Sequence, residues 1–236
     1  MTLDFPVATP HDEIGEVFEN IFLVRGSIVL PSGLPVSRNM TIVRENGVLT
    51  LINTVRLNDE GLKALDALGT VKHVVRIGAF HGKDDPFYVD RYTAELWSPE
   101  GIEHNLGFKT TQLLEPDGRM PFSNSSYFHF ETAQAPEGLI LIEREGGIVV
   151  SCDAMQNWAE TDHFFNEESA AKMTEWGFIQ PAAIGVGWLN SAKPQAADFV
   201  RINALDYRHL LPSHGTPIKE TAKEQFAQTF KEKFGI

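Results

Sequence analysis

The chain has 236 residues, is 42% hydrophobic, and carries 32 acidic against 20 basic residues for a formal net charge of -12. That length and apolar content support a sizeable core and exclude a disordered composition. The acidic balance argues against binding nucleic acid through phosphates, which needs a basic face, and against an anionic membrane surface. The single cysteine, Cys152, permits no intrachain disulfide. Met1 to Pro6 has no basic region followed by an apolar core, and no run approaches the roughly 20 apolar residues of a membrane span. The expectation is a cytoplasmic protein with neither a nucleic-acid nor a membrane partner.

Residues Glu16 to Leu30 read as one or two strands, with Arg25-Gly26-Ser27 as a turn or bulge. Pro31-Ser32-Gly33-Leu34-Pro35 is a loop by composition. Two short strands follow, Met40 to Val43 and Val48 to Ile52, and Asn46-Gly47 between them carries the hairpin signal. A helix begins at its cap Asn58, presents one face through Leu62, Leu65 and Leu68, and stops at Gly69. Val71 to Ile77 is a buried strand. After Gly78-Ala79-Phe80 comes His81-Gly82-Lys83-Asp84-Asp85-Pro86, and Pro86 opens a second helix. Ala94 to Trp97 forms another short strand.

Residues 101 to 136 place Phe122, Tyr127, Phe128 and Phe130 around Ser123-Asn124-Ser125-Ser126, the pattern of a strand pair or a flap. Gly138 to Ile142 and Gly147 to Ser151 are two strands by their Leu, Ile and Val content. Residues 155 to 190 hold Trp158, Phe164, Phe165, Trp176, Phe178 and Trp188. These aromatics serve as helical core or a dimer contact, or form a lid over a pocket. Residues 196 to 205 read as helical, and Leu210-Leu211-Pro212 ends a short strand. The chain closes with an amphipathic helix in which Ala222, Phe226, Phe230 and Phe234 recur every fourth residue. There is no internal repeat, low-complexity tract or linker, so a single domain spanning 1–236 is expected.

The stretch from His81 to Asp85 packs one imidazole, one ammonium and two carboxylates just past a buried strand, where α/β enzymes place chemistry. Each titratable residue also has a structural reading. Asp85 before Pro86 is a good helix cap followed by a good first helical residue. Asp153 caps a helix equally well, and His214 can bond loop carbonyls. Cys152 reads as a small buried apolar residue, because no thiolate-stabilising group can be assigned to it. His163 is a further side chain able to reach a pocket.

The order of strands, a His/Asp-rich loop, more strands, Ser151-Cys152-Asp153-Ala154 and then Leu211-Pro212-Ser213-His214-Gly215-Thr216-Pro217 resembles the metallo-β-lactamase fold superfamily. The resemblance runs from about Glu16 to the C-terminal helix. It implies an α+β fold, a four-layer αββα sandwich of two sheets with helices outside, and one or two metal ions, usually zinc, held by loops at one edge. In the family motif His-x-His-x-Asp-His, His81 matches the first histidine and Asp85 the aspartate. Lys83 and Pro86 stand where the second and last histidines belong. The next family histidine has no counterpart in Gln134-Ala135-Pro136-Glu137-Gly138. Asp153 matches the bridging aspartate and His214 the final histidine.

The resemblance therefore implies His81, Asp85, Asp153 and His214 as metal ligands, with Asp85 or His81 as the catalytic base and Asp84 as a spare acid. Two carboxylates and imidazole can hold one zinc, manganese or iron ion, water completing the shell. Lys83 works against this. Its ammonium has three donors and no acceptor, repels a dication, and offers Asp85 or Asp153 a salt bridge instead. Two functions follow. One is a mononuclear metal-dependent hydrolase of a small-molecule ester, thioester, amide or phosphodiester. The other is a metal-free pseudoenzyme that binds a small molecule or a partner in the same cleft. The aromatic content permits a homodimer.

Overall fold

The computed structural model describes residues 3–236. One sheet contains β1 (Gly15–Phe18), β2 (Ile21–Val29), β3 (Pro35–Glu45), β4 (Val48–Ile52), β5 (Thr70–Val75), β6 (Glu95–Ser98) and β7 (Gln112–Leu113), in that spatial order. It is antiparallel from β1 to β4 and parallel from β4 to β7. The second sheet contains β8 (Ser125–His129), β9 (Gly138–Ile142), β10 (Ile148–Ser151) and β11 (His209–Pro212), in the order β11-β10-β9-β8. Its β10 and β11 run parallel, so both end at the same edge.

Side-chain alternation along the strands sorts the core into layers. Ile52, Val75 and Trp97 point inward from the first sheet and meet Ile140, Ile142, Val150 and Leu211 from the second. On the first sheet's other face, Ile42, Leu51 and Val74 pack against α1 (Asp59–Leu68) and α2 (Asp85–Tyr92). On the second sheet's other face, Leu139, Val149 and Leu210 pack against α4 (Val186–Ala192), α5 (Ala196–Asn203) and α6 (Ala222–Phe234). The result is the expected four-layer αββα sandwich. The remaining helix, α3 (Glu167–Glu175), joins Val36 and Trp158 in a small separate cluster beside the site.

Local signals act as read. Asn46 and Gly47 both adopt positive φ (51° and 78°), the backbone that a tight hairpin between β3 and β4 requires. Asn58 caps α1, its Oδ1 accepting the Gly61 amide at 2.8 Å. Arg25-Gly26-Ser27 is neither turn nor bulge: it continues β2 in register with Ser37–Asn39 of β3. Asp85 does not cap α2. Asp84 occupies the cap position without a capping side-chain bond, and Asp85 is the first helical residue. The 155–190 aromatics divide: Trp188 is buried in the core from α4, whereas Trp158 and Phe178 stand beside the cleft described next.

Candidate metal centre

Three strand ends meet at one edge of the sandwich. The chain leaves β5 through Ile77 to Phe80, β10 into Cys152-Asp153, and β11 into Ser213-His214. The loop after β5 is tied to the segment before β9, with Gly138 N–H donating to Ile77 O at 2.9 Å and Ala79 N–H to Pro136 O at 3.0 Å. Two asparagines of the first sheet hold the loops of the second. Asn39 Nδ2 donates to the carbonyls of Pro212 and Gly215 at 2.8 and 2.7 Å. Asn53 Nδ2 donates to Ser213 Oγ at 2.7 Å. Arg76 braces the approach to His81 through the carbonyls of Gly78, Ala79 and Glu103. Each loop is thus fixed by buried hydrogen bonds that would be costly to leave unmade.

These loops bring His81, Asp153 and His214 together. His81 Nε2 lies 3.4 Å from Asp153 Oδ2, His214 Nε2 lies 3.1 Å from Asp153 Oδ1, and the two Nε2 atoms are 3.1 Å apart. Ligands about 2.0–2.1 Å from a tetrahedral zinc sit roughly 3.3–3.4 Å from one another, so the spacing fits one ion. The protonation pattern fits as well. His214 Nδ1 lies 3.2 Å from the carbonyl oxygen of Ser37, which can only accept, so Nδ1 carries the hydrogen. In the neutral ring Nε2 then offers its lone pair to the centre of the trio. Burial drives the His81 pKa down, which favours the neutral, ligating form. Burial alone would raise Asp153; where the imidazoles of His81 and His214 are instead protonated and donate to it, they overcome burial and hold the carboxyl below its usual range.

A second layer restrains these side chains. Gln156 Nε2 donates to Asp153 Oδ1 at 3.1 Å. The Trp158 indole packs on His214 with ring centroids 4.6 Å apart and donates to Ser37 Oγ at 3.0 Å. Such partners fix ring orientation and tautomer around metal ligands.

The structure sets Asp85 apart from the trio. It is fully buried, its Oδ1 accepts from Thr54 Oγ1 at 2.6 Å, and burial raises its pKa. It begins α2 and is not among the side chains whose ligand atoms cluster as His81, Asp153 and His214 do. Asp84, expected as a spare acid, is committed to Arg38 and to the Arg56 amide. Lys83 is exposed and pairs with neither Asp85 nor Asp153; Arg76 is the cation that lowers Asp85 most. His163 is also elsewhere, 2.9 Å from Asp12. Glu137, Cys152 and Asp153 form a second cluster below the trio. Burial pushes both Glu137 and the Cys152 thiol well up, which disfavours the anionic forms that a metal needs.

The trio opens into a cavity of about 390 Å³. Val36, Trp158, Met173 and Phe178 supply apolar wall, and Arg38 and Lys83 are its cations. Mostly apolar concavity with a few convergent polar groups is the ordinary form of a small-molecule site.

No protein-family model and no curated protein matches this chain. Solved structures do. DIM-1 metallo-β-lactamase exposed to ceftazidime superposes with a TM-score of 0.63 at 12% identity, over 97% of this chain and 99% of that one. This chain has the metallo-β-lactamase fold. FIM-1 from Pseudomonas aeruginosa, a metallo-β-lactamase in its mono-zinc form, gives a TM-score of 0.59 at 13% identity, covering 96% of this chain and 97% of that one. The enzyme from Hirschia baltica gives 0.58 at 13%, covering 92% and 97%. At such identity the likeness establishes the metallo-β-lactamase fold and leaves chemistry to the residues. Arg38 and Gln156 belong to this site but were not legible in the sequence, whereas Trp158 is one of the 155–190 aromatics read as core, dimer contact or lid. Only the spacing of Gln156, three residues past Asp153, could have flagged one of them.

Proposed function

We propose that this chain is a mononuclear metal-dependent hydrolase of small molecules, with His81, Asp153 and His214 holding the ion. The observation that carries the reading is the convergence of three ligand side chains, with both imidazole Nε2 atoms 3.1 Å apart and each within 3.4 Å of one oxygen of the Asp153 carboxylate. Zinc suits two imidazoles and a carboxylate with an open position; iron(II) and manganese suit the same set. The ion would supply Lewis acidity towards a carbonyl or phosphoryl oxygen and acidify water.

The chain's own residues do the positioning. Ser37 O and the Trp158 indole fix the His214 ring, and Gln156 fixes Asp153. Trp158, Met173 and Phe178 exclude water from one side of the cavity and receive an apolar group. Arg38, held by Asp84, keeps a positive charge on the cavity wall without swinging into the trio.

The test is elemental analysis of protein purified without chelator, together with hydrolysis of an ester and amide panel. One equivalent of a transition metal, lost in Asp153→Ala, supports the reading. Absence of metal, with no thermal shift in excess zinc or manganese, would overturn it. A metal-free binding protein is the second reading. The same 3.1–3.4 Å distances also suit a carboxylate held by protonated imidazoles. Its original basis, neutralisation by Lys83, is not present: Lys83 pairs with no carboxylate among the described residues.

A further inference from the structure

The segment before β1 runs along β2 and borders a second cavity near the trio. Thr9 Oγ1 donates to Ser27 O at 2.5 Å, Ser27 N–H to Pro10 O at 2.9 Å and Asp12 N–H to Arg25 O at 2.7 Å. Phe5 packs edge to face on Phe87 of α2, with ring centroids 5.7 Å apart. Anchored in this way, Phe5, Pro6 and Val7 wall a groove of about 660 Å³ together with Leu106. Asn105 and Lys83 line both the groove and the cavity over the trio, so the two adjoin. The charged residues lining the groove, Asp4 and Lys83, are of opposite sign, which favours neither an anion nor a cation. Leu106 stands there against two ordinary preferences. Its backbone has φ 55° and ψ 22°, a left-handed conformation that asparagine tolerates and leucine adopts at a cost, and its side chain is 47% exposed. Neither backbone nor burial explains a leucine at this position, whereas a ligand that covers it would. Eight large hydrophobic side chains are exposed among the described residues; Val7 and Leu106 line the groove, and Phe80 and Trp176 line the adjoining cavity. Half of them thus gather at one edge of the sandwich, which marks an apolar binding surface.

We infer that the substrate is an ester or amide of a medium- or long-chain acyl group, its carbonyl over the trio and its chain passing Asn105 into the groove along Val7 and Leu106. The two cavities, of about 390 and 660 Å³, each fall in the range of small-molecule sites. A short acyl chain occupies the first alone. A longer one also covers Leu106 and Val7, and each added methylene removes apolar surface of chain and groove from water. Chain length is therefore the property selected, and Val7 and Leu106 are specificity residues. The inference rests on reading the cleft over the trio as the hydrolase site, but its test is a binding measurement that needs no turnover.

The probes are N-methylhexanamide and N-methyldecanamide, both neutral and differing by four methylenes. Binding is read by tryptophan fluorescence, since Trp158 and Trp176 line the first cavity, with chelator present so that neither probe is consumed. Full burial tightens binding about fourfold per methylene, and a groove that covers half the chain gives about twofold, so the decanamide should bind at least about tenfold more tightly. In Val7→Ser/Leu106→Asn that gain should fall below about twofold. Both side chains are exposed and asparagine suits the backbone at 106, so the variant should keep its melting temperature. Val200→Ser, at an exposed position of α5, is the control and should retain the full gain. Equal affinity of wild type for the two amides, absence of binding by both, a gain that survives the double substitution, or one lost equally in Val200→Ser would each overturn the inference. A groove-dependent gain, with no hydrolysis of hexanoyl or decanoyl p-nitrophenyl esters when metal is supplied, would uphold the acyl groove and defeat the hydrolase reading. Hydrolysis of those esters without the gain would do the reverse.

Discussion

Substitution of Asp85 separates what the motif implies from what the packing implies. Asp85 and Thr54 are both buried, and the carboxylate is the acceptor of the Thr54 hydroxyl at 2.6 Å. In Asp85→Ala that hydroxyl is left without its acceptor, which costs roughly 1–3 kcal/mol, and the Arg76 guanidinium loses its neighbouring charge. A total near 3 kcal/mol lowers the melting temperature of a chain of this length by about 6–12 °C. Asp85→Asn keeps an acceptor for Thr54 and removes a charge that burial disfavours, so stability at neutral pH should change by less than about 1 kcal/mol. The sign with pH follows from the raised pKa. Native Asp85 holds its proton more tightly than the unfolded chain does, so this group's contribution to stability falls as pH rises from about 3.9 towards the native value. Asp85→Asn should remove that fall. Urea unfolding at several pH values measures it, with midpoints compared at unchanged slope. Metal content is measured on the same samples. Loss of metal in Asp85→Asn as complete as in Asp153→Asn would refute the assignment of Asp85 to the packing.

Gln156→Ala should weaken metal binding about 10- to 100-fold while leaving the three ligands in place, as competition with a chromophoric chelator would show; unchanged affinity would remove Gln156 from the site. Trp158→Phe deletes the bond to Ser37 Oγ and should cost about 1 kcal/mol in denaturant unfolding. Gly215→Ala and Gly47→Ala form a matched pair, since both have positive φ (89° and 78°) but a Cβ at 215 would lie 1.8 Å from Asn157 O, whereas one at 47 meets nothing within 4 Å. Gly47→Ala should cost about 1 kcal/mol and leave metal affinity alone. Gly215→Ala should cost about 3 kcal/mol or more and displace the adjacent His214, so that metal affinity falls with stability. Equal costs for the two would show that the loop after β11 is looser than its hydrogen bonds imply.

Much of the fold was readable because its signals are local. Asn46-Gly47, the Asn58 cap and the short Leu, Ile and Val runs of β9 and β10 each act over a few positions. The site was readable only in part. His81, Asp153 and His214 come from separate strand ends, and the order of those ends supplied their grouping. Asp85 shows where such reasoning stops. A one-residue shift of a helix start rotates a side chain by about 100°, so whether Asp84 or Asp85 begins α2 decides which way the carboxylate faces. Arg38 and Trp158 carry no motif; they become part of the site only when β3 and the segment before α3 are folded over it. The aromatic content of 155–190 could not be divided between core and cleft until Trp188 was seen in the core from α4 and Trp158 beside His214.

The trio draws one residue from the loop after a strand of the first sheet and two from loops of the second. An ion held by all three would therefore be a further crosslink between the two halves of the sandwich, added to the few backbone hydrogen bonds that join them at this edge. On the proposed metal-dependent reading, the resistance of the sheets to sliding apart becomes a function of metal supply. A hundredfold excess of free ion over its dissociation constant would add about 2.7 kcal/mol to the folded state, so on that reading depletion of metal would expose the chain to unfolding and proteolysis.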